Sequence, residues 1–323
     1  MRVIGRDFVR QHLTYPEAIR LVRAGMMILS NGQSLQPLRS ILRMAEGRMF
    51  GLMPGALGEW DSFGAKLVSV FPGNGAQGLQ SHQGGILMFE PETGKPVALV
   101  HAGEVTGIRT GAASAAATDV MARPDASVLT LVGYGEQAAS HLHAIAQIRT
   151  LKTVWVTGRS AQKADAFARE QSALTGLDVR AEPDIARAVE QADIVCTITA
   201  SAEPLVTSDQ VKPGTHVNAV GSSYAGPVEI DNALVARARF IADHRAGALE
   251  QGAEFLSAKA AGLIDDDHVV GEIGQVYLGQ LAGRTSADEV TVYKSLGHIV
   301  QDLVCGQFLA EKAEAAGLPA LDF

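Results

Sequence analysis

The segment Ala126-Ser127-Val128-Leu129-Thr130-Leu131-Val132-Gly133-Tyr134-Gly135-Glu136-Gln137-Ala138 decides the fold. Its first half is short, uncharged and rich in apolar and β-branched residues, the pattern of a strand buried on both faces. It runs into Gly133-x-Gly135-x-x-Ala138 and then into a helical pattern with apolar residues at Ala138, Leu142, Ile145 and Ile148. A strand, a glycine turn and a helix in that order are the setting in which G-x-G-x-x-G/A binds a dinucleotide. Gly133 permits the tight turn, Gly135 leaves room for a pyrophosphate, and Ala138 lets the helix lie close to the strand. The helix N-terminus adds free N–H groups and a partial positive charge. With 34 glycines in the chain a chance match is easy, so the flanking strand and helix carry the argument.

Outward from that turn the pattern is βαβ. Strands are expected at 128–132, 153–157, 179–181, 194–199, 216–220 and 240–243, with helices at 136–148, 161–174 and 184–191. Such alternation builds a parallel sheet with right-handed crossovers. Upstream the pattern differs. Thr14-Tyr15-Pro16-Glu17 reads as a helix start with a capping box, and Asn31-Gly32 as its stop. Short strands at 40–43, 49–53, 64–71, 85–89 and 96–101 follow, punctuated by Gly and Pro, with Pro91-Glu92-Thr93-Gly94 as a turn. An Ala-rich helix spans 105–121. The tail 286–316, with Val290, Val292, Leu296, Ile299, Val300 and Leu303, reads as one long amphipathic helix that packs back on the first domain. The expected fold class is α/β: a Rossmann-type dinucleotide-binding domain at 123–299, and a discontinuous α+β substrate-binding and dimerisation domain at 1–122 with 300–323.

At 323 residues two domains are the natural prior. Hydrophobic residues make up 47% and charged ones 19%, enough for a sizeable core. A formal charge of −8 without any basic stripe argues against nucleic acid as a partner. The two cysteines, Cys196 and Cys305, lie singly in apolar runs, so neither a disulfide scaffold nor a metal site is expected. The N-terminal segment lacks the apolar stretch of a signal peptide, and no run of about 18 apolar residues could span a membrane. A soluble, cytoplasmic protein is expected.

The residue that reads the adenosine ribose lies at the end of the second strand, where an acid favours NAD. Here the segment is Val156-Thr157-Gly158-Arg159-Ser160, without an acid until Asp165. Arg159 and Ser160 suit a 2′-phosphate, which favours NADPH and leaves NADH open. Hydride transfer needs a placed substrate and stabilised charge, so the first domain should supply cations. Arg39, Lys66 and Arg109 each stand alone in an apolar, Gly/Ala-rich setting. Each is either a site cation or half of an internal ion pair, because lone buried charge is costly.

Several segments carry a resemblance. They are Gln36-Pro37-Leu38-Arg39, Met53-Pro54, Gly64-Ala65-Lys66-Leu67-Val68 and Thr110-Gly111-Ala112-Ala113-Ser114-Ala115. The glycine turn, Ala192-Asp193-Ile194-Val195, Asn218-Ala219-Val220-Gly221-Ser222 and Tyr293-Lys294-Ser295-Leu296-Gly297 continue it. In this order and spacing the chain resembles the ornithine cyclodeaminase/μ-crystallin family over nearly its whole length. That family includes ornithine cyclodeaminase, an alanine dehydrogenase and ketimine reductases.

The resemblance implies that Arg39 and Arg109 hold a substrate carboxylate and that Lys66 stands at the reacting C=N as proton donor or electrostatic partner. It implies nucleotide contacts from Gly133, Tyr134, Gly135, Glu136, Gln137 and Ala138, and from Arg159, Ser160 and Thr199. Val220, Gly221, Ser222, Ser295, Leu296 and Gly297 complete that set. Cyclodeaminases carry an aspartate two residues after the glycine of the Ala219-Val220-Gly221 segment, and this chain has Ser223, which cannot deprotonate an ammonium. Ser81-His82-Gln83 resembles the μ-crystallin branch; His82 is a proton relay, a second-carboxylate contact or a histidine satisfying backbone in a turn. The implied activity is NAD(P)H-dependent reduction of a small anionic imino acid to the L-amino acid. Pyrroline- or piperideine-2-carboxylate and iminosuccinate are candidate substrates. Amino-acid dehydrogenation, ornithine cyclodeamination and nucleotide binding without turnover follow in that order. A homodimer through the strand-rich domain is implied as well.

Overall fold

The computed structural model describes residues 1–322, which divide into two compact units, 1–109 with 298–322 and 110–297. The first unit begins with β1 (Arg2–Ile4), α1 (Arg6–His12) and α2 (Tyr15–Ser30). Five strands follow: β2 (Ser40–Arg43), β3 (Met49–Ala56), β4 (Phe63–Val70), β5 (His82–Phe89) and β6 (Pro96–His101). Helix α3 (Ala102–Met121) carries the division between the units, at Arg109 and Thr110. The second unit continues with β7 (Val128–Val132), α4 (Glu136–Ile145), β8 (Thr153–Thr157), α5 (Ala161–Thr175), β9 (Val179–Ala181) and α6 (Ile185–Glu190). Then come β10 (Ile194–Thr197), β11 (His216–Ala219), α7 (Asn232–Arg237), β12 (Arg239–Ala242), α8 (Arg245–Gln251) and α9 (Ala253–Ala260). β13 (Val269–Glu272), α10 (Ile273–Tyr277) and β14 (Thr291–Lys294) complete it, and α11 (Ile299–Ala315) returns to the first unit.

In the first unit the sheet order is β1-β6-β5-β4-β3-β2, antiparallel except for the β1–β6 pair. Alternation sets its two faces. Gly64, Lys66 and Val68 of β4 point to the buried face, as do Ile86 and Met88 of β5. α11 covers that face and α2 packs on α11. The fit is close: a Cβ on Gly25 would meet Val304 at 3.2 Å, and one on Gly55 would meet Ile299 at 2.8 Å. α2 starts and stops where the sequence signals it, with Thr14 at the N-cap and Gly32 at φ 68 after the end. The expected capping box does not form. Thr14 makes no side-chain cap bond, and Glu17 pairs with Arg20 instead.

The second unit is an eight-stranded, all-parallel sheet in the order β13-β12-β14-β11-β10-β7-β8-β9. Its inner strands are buried on both faces, as parallel sheets covered by helices require. The chain runs outward from β7 through β8 and β9, then returns to place β10 on the other side of β7. The glycine turn therefore sits at the topological switch point, where such sheets bind their ligands.

One element differs in kind from expectation. The tail is not a single helix: Thr291–Lys294 is a fully buried strand between β11 and β12, and the helix begins only at Ile299. The apolar spacing fits both periods over so short a run. The β-branched run Val290-Thr291-Val292 fills a parallel slot, and Gly297 at φ 76 separates it from the helix. Other elements form with shifted ends; β3 runs on to Ala56 and β5 starts as early as His82.

Candidate active site

In the second unit, β7 delivers the chain to Gly133, whose φ of 125 is glycine territory. Its N–H donates to Thr157 O at 2.9 Å, and a Cβ there would stand 3.0 Å from Ile198 O. Gly135 is the N-cap of α4, with no side-chain cap bond, and a Cβ on it would meet nothing within 4 Å. The turn thus leaves open space above a helix N-terminus whose N-cap glycine supplies no side-chain cap, which fits a pyrophosphate. Ala138 is buried, and Gly111 lets α3 approach α4 so closely that a Cβ would come 2.4 Å from Ser140 Oγ. Gln137 Oε1 is buried without a hydrogen-bond partner.

The remaining nucleotide candidates lie at the same edge of the sheet, past the ends of β8, β10, β11 and β14. Arg159 is exposed, and Ser160 caps α5 by accepting the Lys163 N–H. Thr199 donates from both its N–H (2.5 Å) and its hydroxyl (2.8 Å) to Glu229 Oε1. Val220 N–H bonds Thr197 O, and Gly221 N–H donates to Glu229 Oε2 at 2.7 Å. Ser222 donates its hydroxyl to Tyr224 O. Ser295 N–H bonds Ala219 O, Leu296 is buried, and Gly297 N–H donates to Asp243 Oδ2 at 2.6 Å. Ser223 is half-buried in the segment after β11.

Beneath that edge lies a buried charge network that the sequence did not single out. Lys294 Nζ donates to Ser222 O at 2.7 Å and stands 2.6 Å from Glu254 Oε2, an ion pair by distance although its angle is not that of a hydrogen bond. Glu254 Oε1 accepts the Glu229 N–H at 3.3 Å. Burial raises the Glu229 carboxyl pKa, and the Thr199 amide and hydroxyl oppose it. Together these side chains fasten the segments after β10 and β11.

In the first unit, Lys66 stands mid-strand on β4, opposite Met53 and Ile86. It is 2% exposed, Arg109 5% and Asp302 0%. Lys66 Nζ and Arg109 Nε both donate to Asp302 Oδ1, at 3.1 and 3.2 Å. Arg109 Nη1 donates to Gln301 Oε1 at 3.0 Å, so the first turn of α11 holds the guanidinium by two successive side chains. Asp302 Oδ2 is buried and makes no hydrogen bond. Burial lowers the Lys66 ammonium to about 8; Asp302 opposes the fall, and Arg109 and Arg39 add to it. Arg39 is half-buried and close enough to act on Lys66. His82 begins β5 with an open face and shares a hydrogen bond with Ser81. Loss of solvent around its ring, then Lys66 and Arg109, draw its pKa down to about 4. Four of the expected residues, Arg39, Lys66, His82 and Arg109, thus share one electrostatic neighbourhood. Two buried cations on one carboxylate oxygen leave the cluster short of negative charge, a deficit that an anionic ligand would make up.

The model of the ornithine cyclodeaminase/mu-crystallin family matches residues 3–317. The chain belongs to this family. It is 34% identical to the ketimine reductase mu-crystallin of Mus musculus over 280 residues, 86% of this chain and 85% of that protein. Among solved structures it is similar to Thermococcus litoralis Delta(1)-pyrroline-2-carboxylate reductase in complex with NADH and L-proline, with a TM-score of 0.95, 29% identity and 100% of both chains covered. The iminosuccinate reductase of Paracoccus denitrificans in complex with NAD+ matches with a TM-score of 0.91 and 30% identity over 98% of each chain.

In this member of the ornithine cyclodeaminase/mu-crystallin family, sequence reasoning missed Asp302, Gln301, Glu229, Glu254 and Lys294 as site-shaping groups. Asp302 left a trace: it is a lone acid within the apolar run Ile299-Val300-Gln301-Asp302-Leu303-Val304. A buried carboxylate on an apolar helix face demands a cation, and Lys66 and Arg109 were the cations lacking a partner. The Glu229–Glu254–Lys294 network left none, because Glu229 lies 25 residues before Glu254 and Glu254 40 before Lys294, separations that carry no period.

Proposed function

We propose that this chain is an NAD(P)H-dependent imine reductase that converts a small α-imino acid to the L-amino acid. The observation that carries the reading is the pair of buried cations, Lys66 and Arg109, on one oxygen of Asp302. Arg109, oriented by Gln301 and Asp302, and Arg39 beside Lys66 receive the substrate carboxylate, where a guanidinium offers bidentate donors. Lys66 gives its proton to the imine nitrogen. Its lowered pKa suits it, because a general acid works best with a pKa near the working pH. Protonation makes the imine carbon electrophilic. A reduced nicotinamide, when bound, supplies the hydride to that carbon. Residues 133–138 would hold its pyrophosphate, and Thr199, residues 220–222 and residues 295–297 its nicotinamide half. Arg159 and Ser160 favour NADPH, while the similar structures were solved with NADH and NAD+.

Cyclic ketimines are the preferred substrates, with linear imino acids such as iminosuccinate next. Ser223 in place of an acid counts against ornithine cyclodeamination. Two buried, free cysteines suit a reducing compartment such as the cytoplasm. The uncovered face of the first unit's sheet exposes Val3, Leu42, Phe50, Leu52 and Leu67, which supports a homodimer through that face.

The test is a screen of preformed cyclic imines, iminosuccinate, and 2-oxo acids with ammonia, each with NADPH and NADH. Reduction of a preformed imine without ammonia is the expected result. Lys66→Ala should lower it about 10²–10⁴-fold and leave nucleotide affinity in place. Turnover that requires free ammonia would make the protein an amino-acid dehydrogenase. Nucleotide binding with no turnover of any imine would overturn the enzymatic reading.

A further inference from the structure

Tyr134 is the middle residue of the glycine turn, and its side chain crosses from the end of β7 to the end of β8. Its ring lies on Gly158 so closely that a Cβ there would come 2.6 Å from Cε1. Its hydroxyl oxygen accepts the Ser160 N–H at 3.2 Å. The phenol is therefore anchored as an acceptor, and its own proton remains to be given away. Beside it stands Arg159, exposed and making no hydrogen bond or ion pair among the described residues. Ser160 already caps the fifteen-residue helix α5 by accepting the Lys163 N–H at 3.3 Å. No acid stands at the end of β8 to receive a ribose hydroxyl. Next to the turn, Thr157 Oγ1 is buried without a hydrogen-bond partner. The turn after β8 itself presents an exposed cation and no carboxylate.

We propose that Tyr134 is a specificity-determining residue for the nucleotide, donating its phenolic proton to the 2′-phosphate of NADPH alongside Arg159. The inference rests on the nucleotide reading above and extends it to a residue that the glycine pattern leaves free to vary. The Ser160 N–H fixes the hydroxyl, so Tyr134 enters the complex already oriented. A hydrogen bond to a dianion is roughly twice as strong as one to a neutral hydroxyl, so the same phenol discriminates between the two nucleotides. Phenylalanine keeps the ring on Gly158 and removes the hydroxyl, and with it both the donor to the phosphate and the acceptor of the Ser160 N–H. Ring packing and hydroxyl chemistry are thereby separable.

The experiment is calorimetric titration of the full chain with NADPH and with NADH, without substrate, for wild type, Tyr134→Phe and Arg159→Ala. Wild type is expected to bind NADPH more tightly. Tyr134→Phe should weaken NADPH about tenfold and change NADH by less than about threefold. Arg159→Ala should weaken NADPH at least as much, which marks the end of β8 as the phosphate site. Equal losses for both nucleotides in Tyr134→Phe, or no loss, overturn the role given to Tyr134. A wild type that prefers NADH overturns it too and leaves imine reduction standing. A wild type that binds neither nucleotide removes the proposed function itself.

Discussion

Lys66 Nζ lies 3.1 Å from Asp302 Oδ1 although 236 positions separate the two residues, and Arg109 shares that oxygen at 3.2 Å. A strand from one end of the first unit and a helix from the other end of the chain thus meet on one carboxylate. Asp302 is a positioning residue: it holds two cations in place and keeps the ammonium protonated against the pull of burial.

Asp302→Asn removes the main influence that raises the Lys66 pKa and leaves burial, Arg109 and Arg39, all of which lower it. In the proposed reaction protonated Lys66 is the active form, so kcat/KM should fall as pH rises through about 8 in the wild type. In the variant that limb moves to lower pH. A pH profile of imine reduction reads the shift, and an unmoved limb would show that Lys66 is not the proton donor.

His82, held near 4, is uncharged throughout the neutral range. It can donate or accept one hydrogen bond there but cannot hold a second carboxylate as a cation. Ring titration by NMR should show no change at the ordinary histidine value of about 6.5. The rate profile should be equally flat there. An inflection at that value would mean that solvent reaches the ring and that Lys66 and Arg109 do not hold its charge off.

Two glycines of one turn should fail differently. Gly133→Ala forces a Cβ residue to φ 125 and within 3.0 Å of Ile198 O, so it should cost about 1–3 kcal/mol of stability. Gly135→Ala places its Cβ in open space at φ −88, so stability should hold while nucleotide affinity falls. Thermal melts and nucleotide titration on both variants separate strain from blockage. A Gly135→Ala protein with full affinity would move the pyrophosphate away from this turn.

Lys294→Met leaves Glu254 buried without its 2.6 Å partner and should cost about 3–5 kcal/mol in urea unfolding. Replacing both, as Glu254→Gln with Lys294→Met, should cost less, because no uncompensated charge is left behind. Equal losses in the single and double variants would show that the pair contributes packing alone.

The legible parts of the chain were those whose signal is local. The strand before Gly133, the helix after Gly135 and the stop at Gly32 follow from period and backbone freedom, which act over a few residues. The strand Thr291–Lys294 was misread because its neighbours β11 and β12, not its own period, decide its state. Arg39, Lys66 and Arg109 stood out as unaccompanied cations, but their company did not.

By itself the sequence determined two alternations of secondary structure, a nucleotide turn at the head of one and lone cations in the other. Those depend on steric and hydrophobic rules that each residue obeys with its near neighbours. Only the tertiary structure decided that Lys66 and Arg109 share Asp302, that Tyr134 reaches Ser160, and that Glu254 and Lys294 lock the segments beside the sheet edge. Charge pairing in a desolvated interior acts through space, and nothing in residue spacing records which buried acid will meet which buried base.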